Sequence, residues 1–142
     1  MKDYREALAA QAKTHVDTVK ANTVLSAITV YRGLSTADLK HPAIIVNCPE
    51  ARPYSPGLGL WRVTLEAVVL TSLTEGLSDT GLTHRSRFNA LTGFFDDESP
   101  ASALAGMTTA GLTAHGFEVE EMTGIKEDQV LADTLRLAVY VG

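Results

Sequence analysis

Cysteine is nearly missing from this chain. Its single thiol, Cys48, excludes an intramolecular disulfide framework and a cysteine metal cage. Aromatic residues are scarce at 6%, so the core has to be aliphatic and alanine-rich. Basic residues fall short of acidic ones, 12 against 17. The resulting net charge of −5 argues against a protein that grips nucleic-acid phosphates, because that affinity comes from Lys and Arg. No apolar run approaches the roughly 20 residues that a membrane span requires. The charged start Met1-Lys2-Asp3-Tyr4-Arg5-Glu6 leads into no signal-peptide core, so the expectation is production on the cytoplasmic side. Catalytic motifs are missing too. Gly57-Leu58-Gly59 precedes a strand and is followed by no Lys-Ser or Lys-Thr, which rules out a phosphate cradle. Ser86 lies between Arg85 and Arg87, and no Gly-x-Ser-x-Gly elbow occurs.

What is present is ordinary globular material, 142 residues with 45% apolar and 20% charged side chains, enough for one domain over 1–142. Tyr4, Leu8, Ala12, His15 and Val19 recur at helical spacing and predict an amphipathic helix over residues 3–22. Asp3 stands at its cap, with Glu6 in the capping-box position. Ile28–Arg32 is a short β-branched run ended by Gly33. Leu34 to His41 follows as a loop with room for a helical turn at Ser35–Asp38. Pro42 opens a strand, and residues 43–48 are apolar on both sides, as in the middle of a sheet. Pro53 and Pro56 with the adjoining Pro49, together with Gly57 and Gly59, predict an irregular excursion over Glu50–Leu60.

A long strand is expected from Leu60 to Ser72, with Trp61, Val63, Leu65, Ala67 and Val69 on one face. Its other face is polar at Arg62, Thr64 and Glu66 and apolar at Val68 and Leu70, which predicts a strand buried on both faces at its end. The loop Leu73–Gly81 leads to a helix over 82–96 with His84, Phe88, Leu91 and Phe95 on one stripe. Asp96-Asp97-Glu98 breaks it, and Ser99-Pro100 starts a second helix running to about Ala114. Phe117–Met122 alternates apolar and acidic, like an exposed strand. Leu135, Leu137, Val139 and Val141 then share one face of a terminal strand over 133–141. The pattern predicts an α+β fold: a mainly antiparallel sheet of four to five strands, with an N-terminal helix and two middle helices packed on it.

Few side chains point to chemistry. His15, His41, His84 and His115 lie on four different elements, so neither a metal nor a cofactor is expected. Asp96-Asp97-Glu98 reads as a solvated loop rather than a cation site. Cys48 reads as a buried structural thiol. His84-Arg85-Ser86-Arg87 is the one local basic cluster. It reads as a solvated helix start or as a contact for a partner's carboxylates or a phosphate. Glu118, Glu120 and Glu121 have two readings: charges that block edge-to-edge pairing, or charges that face a pore or a neighbouring subunit.

The order of these elements resembles the tail terminator proteins of long-tailed bacteriophages. The resemblance spans nearly the whole chain and is architectural, with no single diagnostic motif. It rests on the first helix, the Pro42–Val46 strand, the proline- and glycine-rich stretch leading into Trp61–Val69, the helical middle, and the acidic hairpin ending in Asp133–Val141. The longer, threonine-rich second middle helix departs from that family.

The resemblance implies a non-enzymatic structural virion protein that forms a homohexameric ring. Such a ring caps the tail tube, stops its polymerisation and joins tail to head. The implied partners are other copies of the chain, the tube protein and a head-side neck protein, with DNA passing through unbound. The implied location is the tail and neck of the virion, with assembly in the host cytoplasm. Tyr54, Leu58, Leu73 and Leu77 are the candidate contacts, because they are apolar side chains in long irregular segments. Two alternatives stay open: another neck or head-completion component, and a small α+β ligand-binding domain with a pocket near His84 and Trp61.

Overall fold

The computed structural model describes residues 3–33, 39–96, 101–127 and 129–142, with Pro56 described by its backbone alone. Helix α1 (Tyr4–Val19) opens the fold, and Asp3 accepts hydrogen bonds from the Arg5 and Glu6 amides of its first turn. Leu8, Ala12 and His15 are buried as the helical spacing predicts, together with Ala9 and Val16. A 3₁₀ turn at Lys20–Asn22 ends it.

Five strands follow: β1 (Thr29–Arg32), β2 (Ala43–Ser55), β3 (Leu60–Ser72), β4 (Ala114–Glu127) and β5 (Val130–Val141). They form one sheet in the order β1-β2-β3-β5-β4. The β1–β2 pair is parallel and the other three pairs are antiparallel. Helices α2 (Thr80–Gly93) and α3 (Ala101–Gly106) complete the α+β fold. The predicted bounds of β3 are the observed ones. Among the described residues no helix is long and apolar enough to cross a membrane.

The core lies between the helices and one face of the sheet. Val63, Leu65, Ala67 and Val69 of β3 and Leu135, Leu137, Val139 and Val141 of β5 meet α1 residues there, with Leu91 and Phe95 from the α2 end and Met107 after α3. A Cβ at Gly106 would overlap the His15 ring, so glycine is what lets α3 close against α1. Cys48 belongs to this inner layer, and burial pushes its thiol up to about 12, with the Glu6, Glu66 and Asp3 carboxylates adding to the effect.

The structure corrects three expectations. Residues 50–55 are not an excursion but the second half of β2, paired to Leu60–Thr64 of β3. The ladder tolerates Pro49 and Pro53 because register shifts fall at Asn47/Glu50 and Pro53/Ser55, so the prolines sit at irregularities. The second middle helix ends at Gly106 rather than near Ala114. Its glycines and threonines are poor helix formers, and Gly111 takes a φ of 85° in the turn that leads into β4. Val68 and Leu70 are half-buried rather than sealed on the second face. The expected turn at Ser35–Asp38, the helix start at Ser99-Pro100, and Asp97 and Glu98 lie outside the described residues.

Candidate assembly surface

The alternation that buries one face of the sheet presents the other. The described helices share their cluster with the inner residues only, leaving the outer face uncovered by any of them. In the middle of that face stand three arginines, Arg52, Arg62 and Arg136, and five glutamates, Glu50, Glu66, Glu118, Glu120 and Glu121, as the strand registers dictate.

A bulge explains the acidic cluster. The β4–β5 register shifts between Val119 and Glu121, and Glu121 then stands opposite Arg136. The extra residue puts Glu120 and Glu121 on the same side as Glu118, although plain alternation would separate them. All three are then answered from their own chain. Arg62 bonds Glu120 and lies 4.0 Å from Glu118, and Tyr140 Oη donates to Glu118 at 2.8 Å. Arg136 bridges Glu66 at 2.8 Å and Glu121 at 3.3 Å. The Arg62–Glu120 bond crosses β5, where Ala138 presents only a methyl group. The bond to Glu118 raises the Tyr140 hydroxyl above its ordinary range, since ionising it would place two negative oxygens together.

Two depressions divide this face. One, of about 530 Å³, is lined by Glu50, Arg52, Arg62, Glu66, Glu120 and Arg136 among others. The other, of about 280 Å³, is mainly apolar and is lined by Leu70, Ile125, Val130 and Ala132 with Glu127. The Tyr54 ring lies on the same face, 4.7 Å from that of Tyr140.

The predicted contact residues fall into two groups. Tyr54 sits near the end of β2, and Leu58 tops the β2–β3 turn with 75% of its surface exposed. Leu73 and the half-buried Leu77 lie past the other end of β3, a strand of 13 residues. At about 3.4 Å per residue, roughly 40 Å separates the two groups. Two exposed apolar residues of β4 were missed by sequence reasoning, Met122 and Ile125, each 60% exposed. The reading of Phe117–Met122 as an exposed strand put Met122 at its end and left Ile125 beyond it, and neither was named as a contact.

The basic cluster is also corrected. Helical geometry sends its members apart: Arg85 and Ser86 are exposed, whereas His84 and Arg87 turn inward. His84 Nδ1 is 2.7 Å from Thr71 Oγ1, and Nε2 is 3.0 Å from Asp133 Oδ2 without the alignment of a hydrogen bond. Arg87 donates to Thr71 Oγ1 at 3.0 Å and grips Glu75 through both terminal nitrogens, at 3.1 and 3.3 Å. Hydroxyl, imidazole and carboxylate follow one another as in a nucleophile triad. Thr71 is fully buried, however, so its oxygen faces no substrate. Trp61 stacks against Tyr4 with centroids 6.0 Å apart, at the opposite end of β3 from Thr71, and therefore shares no pocket with His84.

Among the described residues no group of three or more His, Cys, Asp or Glu could hold a metal ion. No protein-family model matches the chain, and no curated protein matches it in sequence.

Proposed function

We propose that the chain is a structural virion subunit that assembles into a homo-oligomeric ring, caps a phage tail tube and joins the tail to the head. The observation that carries this reading is the pair of apolar groups at opposite ends of the β2–β3 hairpin, Tyr54 with Leu58 and Leu73 with Leu77. A ring contact is heterologous, so each subunit must offer two different patches. The outer sheet face suits close packing beside other copies, because its Glu118, Glu120 and Glu121 charges are answered internally. Six copies at −5 each carry a formal charge of about −30, which keeps DNA from adhering as it passes. The same architecture serves another neck component equally well, and the partner, tube or head, separates the two.

The test is a double variant, Leu58→Asp with Leu77→Asp. A carboxylate buried at a contact without a partner costs several kcal/mol. The variant is expected to keep its circular dichroism spectrum while losing its place in the ring. Normal assembly of the variant would move the interface elsewhere.

A further inference from the structure

Helices α1 and α2 lie on the same face of the sheet but are held by different chemistry. Helix α1 is fastened along its length by Leu8, Ala9, Ala12, His15 and Val16. Helix α2 fully buries two of its fourteen residues, His84 and Leu91, with Phe95 following just past its end. From Thr80 to Ala90 the only fully buried side chain is the imidazole of His84. Phe88 and Ala90 rest half-buried against the core, and the remaining attachment of this stretch to the sheet is polar: His84 and Arg87 bond Thr71 of β3, and His84 lies beside Asp133 of β5.

The bonds are interlocked. Arg87 can only donate, so satisfying every atom requires the Thr71 hydroxyl to accept from Arg87 and give its own proton to His84 Nδ1. The ring proton then sits on Nε2, facing Asp133. Glu75 receives both arms of Arg87 and the Ser72 amide at 2.8 Å, which ties the loop before α2 into the same cluster. The Arg87 and Glu75 side chains are 11% and 13% exposed, so water competes little for either.

We infer that the Thr71–Glu75–His84–Arg87–Asp133 cluster is a latch, and that residues 73–90 form a strap that opens as one unit while Leu91 and Phe95 stay seated. Directional bonds sharing one hydroxyl are lost together, whereas apolar contacts give way gradually. Losing any member strands buried partners, so the latch has a closed state and an open one with little between. The strap carries Leu73 and Leu77. Only its bearing on assembly rests on the ring reading; the opening itself does not.

Native-state amide hydrogen exchange on the full chain tests this, comparing the unmodified protein with Arg87→Met and with the milder Glu75→Gln. Both variants are expected to speed exchange over residues 80–90 roughly ten- to a hundredfold, as loss of a charge-assisted bond between buried groups predicts. Amides of α1 and of β3 are expected to keep their protection within about twofold. Uniform acceleration through α1 and the sheet would overturn the strap, since α2 would then be part of the global unit. Unchanged exchange at 80–90 in both variants would overturn the latch. Should Arg87→Met fail to fold, Glu75→Gln decides between the same outcomes. A strap that opens while rings still form normally would leave the inference standing and count against Leu73 and Leu77 as contacts.

Discussion

The two faces of this sheet are built from the same strands and do opposite work. Along β3 the inner positions Val63, Leu65, Ala67 and Val69 are fully buried, while the alternate positions Arg62, Thr64 and Glu66 are half-covered and carry charge or hydroxyl groups. The inner face is closed by helices; the middle of the outer face is bridged, among the described residues, by its own ion pairs. Stability resides on the first, where removed apolar area is worth about 25 cal/mol per Å². The second offers little stability, because pairs open to water contribute little.

The sharpest way to break that contrast is to cut the inner face. Leu65→Ala removes a side chain with no exposure from the centre of β3, facing Leu137 on β5. A loss of about 2–5 kcal/mol in urea unfolding is expected.

A smaller effect comes through Cys48. Its thiol stays neutral in the folded chain up to about 12, against an ordinary value of 9.0. A group raised on folding gives stability that is whole below its unfolded value and lost as pH climbs toward its folded one. Stability should thus begin to fall near pH 9, by about 1 kcal/mol at pH 10, and Cys48→Ala should flatten that slope. Thiol labelling of the native protein at pH 8 should proceed only through unfolding.

The smallest effect belongs to the outer face. Arg136→Met removes the partner of both Glu66 and Glu121 but is expected to cost about 1 kcal/mol or less, because Arg136 is 43% exposed. A cost matching that of Leu65→Ala would erase the distinction between the faces.

Much of the fold was legible because its signals are local. Asp3 and the spacing after it specify α1, and alternation marks β3 and β5 without help from other elements. The second half of β2 was not, because Pro49 and Pro53 signal a break and only pairing with β3 shows that bulges absorb them. Helix α3 is shorter than its Ser-Pro start implied, since Gly111 and the threonines favour turns. The latch was invisible for a different reason: Thr71, His84 and Asp133 come from three elements and meet only by folding. The positions of the acidic residues were legible, but their partners were not. The bulge at Glu120 decides which way the carboxylates face, and Arg62 lies 58 residues away in sequence.

The central claim is that this chain assembles into a ring on a tail tube, and sedimentation velocity of the purified protein, alone and with tail tubes added, tests it most directly. The account predicts either a free ring of six 15.2 kDa chains, about 91 kDa, or a species that co-sediments with the tubes and shifts wholly with them. A chain that stays at 15.2 kDa with tubes present, leaving the tubes unaltered, would contradict it.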